Sequence, residues 1–108
     1  MESSAISGKV ALVAGATRGA GRGSARALAA AGAFVYCTGR SADGESVGLD
    51  RPETIDQTVA MIERDVGRAV AVQIDHTDEA AVIELAKQIH TDSGRLDVLV
   101  NSVCVVSP

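Results

Sequence analysis

Aromatic side chains are almost absent from this sequence, which has one Phe, one Tyr and no Trp among its 108 residues. The core must therefore be built from Val, Ala, Leu and Ile, which suits a parallel sheet covered by helices. Cysteine is also scarce: Cys37 and Cys104 share no Cys-x-x-Cys spacing, and the two His residues form no metal-ligand pattern. These absences predict buried free thiols in a reducing cytoplasm, with no metal site.

The sequence has no excess of basic charge and no long apolar run. Its net charge of −4 argues against non-specific binding to nucleic acid. The apolar run over 96–106 is interrupted by Asp97, Asn101 and Ser102, and it is too short to span a bilayer as a helix. The first eight residues lack a basic-then-apolar signal region. We therefore expect a cytoplasmic protein with no nucleic-acid or membrane partner.

Apolar runs alternate with helix-like segments along the whole chain. Strands are predicted over 9–13, 34–38, 69–74 and 96–100. Helices are predicted over 20–31, from Pro52 to Gly67, and from a cap at Thr77 or Asp78 to Gly94, with a long polar loop over 39–51. The resulting order, βαβαβαβ, predicts an α/β fold with a doubly wound parallel sheet of strand order 3-2-1-4.

The first predicted strand runs directly into a glycine-rich turn, Gly15-Ala16-Thr17-Arg18-Gly19-Ala20-Gly21. Glycines lack Cβ, so a phosphate can approach the backbone N–H groups, and the helix that follows directs its positive end at the same place. Arg40, Asp75 and Asn101 lie at or just beyond the carboxyl ends of the other three strands, where ligands bind in doubly wound sheets. A tight turn that binds nothing remains the alternative.

The spacing Gly15-x-x-x-Gly19-x-Gly21 resembles that of the short-chain dehydrogenase/reductase family. The resemblance implies a dinucleotide cofactor, with Gly15 making the turn, Gly19 admitting the phosphates and Gly21 packing helix against strand. Ala14 stands where the family usually has Thr. A hydroxyl that braces the turn is therefore missing, and we expect a looser turn.

Two arginines bear on which dinucleotide is bound. Arg18 lies inside the glycine turn and Arg40 just after the second strand, positions that mark NADP preference in the resembling family. The sequence has no acid at the end of that strand until Asp43, whereas an NAD site prefers one there. A guanidinium can bind the 2′-phosphate bidentately, so NADP is predicted over NAD, although each Arg alone could be a solvated surface charge. The same resemblance adds Thr17, Ala20 and Ser41 to the cofactor site.

The third and fourth strands each contribute a polar position to the resemblance. In the family an Asp like Asp75 accepts from the adenine amino group, and the next backbone amide, here that of His76, assists. The alternative is that Asp75 caps a helix or a turn, while the His76 side chain is predicted to be solvated or packed without a partner. Asn101 matches the first residue of the family's Asn-Asn-Ala-Gly and implies a brace between strands, but Ser102-Val103-Cys104 departs from that pattern.

The resemblance covers the first half of the family's domain. The family's catalytic Ser and Tyr-x-x-x-Lys lie beyond it, and Tyr36, within the second strand, is followed four residues later by Arg40. We therefore expect residues 1–108 to be a partial, Rossmann-like NAD(P)-binding domain, truncated after the fourth strand and without catalytic residues of its own. The alternatives are a non-enzymatic nucleotide-binding or interaction module, or a truncated gene product. The free edge of the fourth strand predicts a homo-oligomer or a partner that covers it.

Overall fold

A computed structural model of the chain describes residues 6–40, 54–65 and 67–102. Their elements are β1 (Val10–Ala14), α1 (Gly19–Ala30), β2 (Phe34–Gly39), α2 (Ile55–Arg64), β3 (Arg68–Gln73), α3 (Glu79–Ser93) and β4 (Val98–Asn101). All strand pairs are parallel, and the order across the sheet is β3-β2-β1-β4. The predicted Rossmann-like α/β fold and strand order are confirmed.

The start of β4 differs from its predicted position by two residues. A side-chain oxygen of Asp97 accepts a hydrogen bond from the Val10 N–H at 2.9 Å, and the Asp97 N–H donates to the Val10 carbonyl at 2.8 Å. Both bonds join Asp97 to Val10, and regular pairing with β1 begins at the next residue, Val98. Leu96 therefore lies outside the strand. The other observed strand ends lie within one residue of their predicted positions. Predictions for Ser41, Pro52 and Cys104 lie outside the described residues.

The side chains of the strands alternate between the two faces of the sheet, as strand geometry requires. The face covered by α1 and α2 holds a buried cluster of small and branched residues: Ala11, Val13, Ala16, Ala25, Ala29, Ala33, Val35, Cys37 and Ile62. The face toward α3 holds Val10, Leu12, Tyr36, Ile74, Leu85 and Ile89. Tyr36 is buried there, with its hydroxyl 2.6 Å from the Ser93 hydroxyl.

Local side-chain caps fix where α2 and α3 begin. Thr54 and Gln57 form a reciprocal capping box at α2, in which the Thr54 hydroxyl accepts from the Gln57 N–H at 3.2 Å. Of the two predicted caps for α3, Asp78 occupies the position and accepts from the Ala81 N–H at 3.2 Å. None of the described helices is both long and apolar enough to cross a membrane.

Candidate functional site

The parallel register brings the predicted site residues to one edge of the sheet. Ala14, the last residue of β1, is aligned with Thr38 of β2 and with Asn101 of β4. Gly39 at the end of β2 is aligned with Gln73 at the end of β3. The residues that follow these four strand ends are the glycine turn over 15–21, Arg40, the pair Asp75 and His76, and Ser102.

The glycine turn is held by its backbone against β2. The N–H groups of Gly15 and Ala16 both donate to the Thr38 carbonyl, each at 2.9 Å. Gly15 and Gly19 have φ values of +83° and +58°, a region that side chains with a Cβ rarely occupy. The turn is therefore tied to the neighbouring strand although Ala14 offers no hydroxyl.

A second brace comes from α2. The Thr58 hydroxyl donates to the Ala16 carbonyl at 2.7 Å, and Thr58 is fully buried. The expectation of a looser turn, which rested on Ala14, missed this bond because Thr58 is 42 residues away in the sequence. Its only sequence signal is a Thr on the buried side of a helix, which does not identify a partner.

Close packing makes a side chain at Gly21 impossible without movement of the turn. A Cβ at Gly21 would lie 1.9 Å from the Gly15 carbonyl oxygen. Gly21 thus packs α1 against Gly15, the first residue after β1. Gly19 and Ala20 are exposed on the outer side of the same turn, and Thr17 is buried against Gly39, where a Cβ would be 2.6 Å from the Thr17 hydroxyl.

The amino end of α1 carries the electrostatic features of an anion site. Arg18 occupies the N-cap position, its side chain makes no capping bond to the helix, and the first turn contains no acidic residue. The leading N–H groups and the helix dipole are thus not balanced by a carboxylate of α1 itself. Such an end favours a phosphate or another anion.

Arg40 stands at the same edge, directly after β2. The residue is exposed, and its carbonyl accepts from the Gln73 side-chain amide at 2.9 Å, which fixes the backbone at this point. Arg40 and Asp75, the predicted phosphate and adenine ligands, thus follow the neighbouring strands β2 and β3 at the same edge.

Asp75 also has a local structural role. Its Oδ1 accepts from the Thr77 N–H at 2.9 Å and from the Thr77 hydroxyl at 2.6 Å. These bonds are the main reason that the pKa of Asp75 lies below its ordinary value, with Arg40 and His76 adding smaller electrostatic contributions. The turn-forming alternative considered for Asp75 is thus present, and it uses only one of the two carboxylate oxygens.

The prediction that the His76 side chain has no partner is wrong. Its Nε2 lies 2.7 Å from the Thr38 hydroxyl, a hydrogen bond in which either atom can be the donor. Burial lowers the pKa of His76, and the neighbouring Asp75 carboxylate opposes this shift only in part. The contact depends on the alignment of β2 with β3, which a sequence pattern does not reveal.

A cavity of about 640 Å³ lies on the α3 side of β1 and β4. Its lining combines apolar and polar side chains: Leu12, Ala14, His76, Val82, Leu85, Ala86, Ile89, His90, Arg95, Leu96, Leu99 and Asn101. Leu99 is 62% exposed and Leu96 is 45% exposed, although both are large apolar residues. Asn101 and the exposed edge of β4, both expected from the sequence to matter, lie at this cavity.

The sequence matches known proteins over nearly its whole length. The family model described as short chain dehydrogenase matches residues 9–108. A mouse protein, dehydrogenase/reductase SDR family member 1, is 41% identical over 98 residues, which are 90% of this chain and 28% of the relative. The 2,3-dihydro-2,3-dihydroxybenzoate dehydrogenase of Bacillus subtilis is 31% identical over 108 residues, all of this chain and 38% of the relative.

Solved structures give the same result for the fold. A short-chain dehydrogenase from Mycobacterium avium superposes with a TM-score of 0.82 at 30% identity, covering 94% of this chain and 36% of that protein. A hydroxysteroid dehydrogenase from Escherichia coli superposes with a TM-score of 0.76 at 31% identity, covering 89% of this chain and 37% of that protein. The chain thus spans between 28% and 38% of the length of these relatives, and it belongs to the short-chain dehydrogenase family.

Proposed function

We propose that this chain binds NADP(H) and is the cofactor-binding portion of a short-chain oxidoreductase. The observation that carries the proposal is the position of Arg40, which follows β2 at the edge where the glycine turn leaves β1. An NAD site has an acid at the end of the second strand, whereas a 2′-phosphate needs a cation there. Arg18 at the start of α1 adds a second positive charge beside the turn.

The described residues fit a dinucleotide laid along this edge. We assign the pyrophosphate to the amides of the turn from Gly15 to Gly21, with Gly19 and Ala20 on its exposed side and Thr17 supporting it. We assign the adenine to the Asp75 carboxylate and the His76 amide, and the ribose side of the nicotinamide to the segment that follows Asn101. Ser41 completes the proposed set but lies outside the described residues.

Calorimetric titration of the chain with NADP⁺ and with NAD⁺ tests this proposal. We expect tighter binding of NADP⁺, and Arg40→Ala to weaken it roughly 10- to 100-fold, because charge-assisted hydrogen bonds to the 2′-phosphate are lost. Binding of NAD⁺ should change little. Arg68→Ala is the matched control. Arg68 is an exposed arginine at the start of β3, so it lies at the amino ends of the strands and away from the proposed site. Equal losses for both dinucleotides would refute the 2′-phosphate assignment.

The oxidoreductase activity that we propose belongs to a longer protein of this family. NADPH supplies the hydride for carbonyl reduction in such a reaction and leaves as NADP⁺, and a proton donor must stand near the reacting carbonyl. Tyr36 cannot serve, because it is buried on the α3 face and hydrogen-bonded to Ser93. We therefore expect the 108-residue chain to bind the cofactor without catalysing hydride transfer. Carbonyl reduction by this chain alone would contradict the proposal.

We further propose that the exposed edge of β4 is covered by a second copy of this chain. Among the described strands, β4 pairs only with β1, and its Leu99 side chain is exposed. Leu99 and Leu96 also line the cavity on the α3 side, so an apolar surface is continuous with a strand edge that no other described strand covers. Such edges pair with other chains unless they are protected.

We also place the protein in the cytoplasm, where the free thiol of Cys37 stays reduced.

A further inference from the structure

The carbonyl of Ala16, the second residue of the glycine turn, is held by a side chain from a different helix. The Thr58 hydroxyl donates to it at 2.7 Å, while the next carbonyl within its reach, that of Thr54, is 3.5 Å away. A hydroxyl has one proton to donate, so the shorter bond to Ala16 takes it. Thr58 is fully buried, and water therefore cannot replace this bond.

Arg22 of α1 orients the Thr58 hydroxyl. Its Nε donates to Thr58 Oγ1 at 2.9 Å, and its Nη2 donates to the Thr54 carbonyl at 3.2 Å. With its acceptor side occupied by Arg22, the hydroxyl has its proton directed at Ala16. The guanidinium thus joins the second turn of α1 to the amino end of α2, and the two helices together hold the glycine turn.

The planar peptide bond carries this restraint to the next residue. In a trans peptide the C=O of Ala16 and the N–H of Thr17 point in opposite directions. Because Thr58 holds the carbonyl toward α2, the Thr17 N–H points away from α2. A fixed orientation of backbone N–H groups is what makes such a turn bind an anion, since dipoles that are already aligned need no reorganisation on binding.

We infer that Thr58, oriented by Arg22, is a positioning residue for the pyrophosphate-binding turn. The inference rests on the proposed function, because it assumes that the turn receives the pyrophosphate of a dinucleotide. Thr58 supplies from α2 a hydroxyl brace that Ala14 cannot supply from β1. It also links the orientation of the turn to the docking of α2, whose first residue, Ile55, packs beside Gly39.

The test compares ligands with and without a pyrophosphate in Thr58→Val, a neutral change of similar shape that replaces the hydroxyl with a methyl group. We expect NADP⁺ and ADP to bind about tenfold more weakly, because a buried hydrogen bond that orients the turn is lost. Adenosine 2′-monophosphate, which has no pyrophosphate, should keep its affinity within about twofold. Thr58→Ser should restore binding of NADP⁺, and the Thr17 amide resonance should shift in Thr58→Val but not in Thr58→Ser.

Arg22→Ala and Arg26→Ala provide the second comparison, and they keep the inference testable if Thr58→Val does not fold. Arg22→Ala should weaken NADP⁺ binding, although less than Thr58→Val, because Thr58 keeps its bond to Ala16 but loses the group that orients it; binding as tight as in Arg26→Ala would overturn the inference. Arg26 lies one turn further along α1 and also bridges to α2, through Asp65 at 3.3 Å, without touching Thr58. Its removal should leave binding unchanged.

The outcomes separate this inference from the function on which it rests. If the wild-type chain binds NADP⁺ and Thr58→Val weakens all three ligands equally, Thr58 only stabilises the fold and the inference is overturned. Unchanged NADP⁺ binding in Thr58→Val overturns it as well. If the wild-type chain binds none of the three ligands, the proposed function itself is wrong.

Discussion

The two faces of the sheet are covered to different degrees. On the face toward α1 and α2, strand residues such as Ala11, Val13 and Val35 are completely buried. On the face toward α3, the cavity opens beside β1 and β4, and Leu99 at its wall is exposed. The glycine turn takes its braces from the first face, through Gly21 and Thr58. The proposed cofactor turn is therefore built on the closed side, while the open side presents apolar surface.

On the first face, small side chains of α1 lie against the sheet. The helix α1 meets the sheet with Ala25 and Ala29, which allow its backbone to come close. On that face, burial raises the pKa of the Cys37 thiol to about 12, because the thiolate would have no water around it. His76 on the other face is only half-buried. Single substitutions on either face of the sheet test this difference in cover.

The largest effect on stability is expected at Gly21, where the face covered by α1 and α2 is packed most tightly. Gly21→Ala should lower the free energy of unfolding by about 1–3 kcal/mol, because the added methyl group overlaps the Gly15 carbonyl and the turn must move. The same change should abolish measurable NADP⁺ binding. Urea unfolding and calorimetry measure the two effects.

Gly23→Ala in the same helix is the matched control. A Cβ at Gly23 meets nothing within 4 Å. This substitution should raise the free energy of unfolding by up to about 1 kcal/mol, because Ala favours a helix over Gly. If Gly21→Ala and Gly23→Ala change the free energy of unfolding alike, the close contact between α1 and the turn does not explain the effect at Gly21.

A smaller effect on stability, with a clear effect on association, is expected at the open face. Leu99→Lys should shift the protein from dimer to monomer in sedimentation velocity, because a charge on β4 opposes pairing of its edge. The free energy of unfolding of the monomer should change by only about 0.5 kcal/mol, since Leu99 is exposed. Ile83→Lys is the control, at an exposed residue of α3 that does not line the cavity. A wild-type chain that sediments as a monomer at all concentrations would refute the second-copy proposal.

The smallest effect is expected at His76, where the open face meets the site. Burial holds the folded-state pKa of His76 below its ordinary value of about 6.5, so the unfolded chain takes up a proton first as the pH falls. The stability that comes from neutral His76 is therefore complete above about pH 6.5 and is lost as the pH drops through the folded-state pKa. Urea midpoints at about pH 7.5 and pH 5.5 should differ less in His76→Gln than in wild type. An equal difference in both proteins would show that His76 is not the titrating group.

The positions of several candidate site residues could be predicted from the order of strands and helices. Gly15, Gly19 and Arg40 were located correctly at the carboxyl edge, because their positions follow from the alternation of strands and helices. The partners of Thr58 and His76 could not be predicted. A hydroxyl on a helix or a histidine after a strand has no sequence signal for what it touches, and both contacts join residues about 40 positions apart.

The order of elements, the parallel sheet and the glycine turn follow from short-range patterns in the sequence, because hydrophobic periodicity and glycine spacing act over short distances. The contacts that hold the turn arise only when distant segments pack together. The Thr38 carbonyl, the Thr58 hydroxyl and the close approach of Gly21 depend on strand register and on how α1 and α2 dock. The uneven cover of the two faces of the sheet also depends on tertiary packing. It follows from the distance between each helix and the sheet, which all the side chains between them set together.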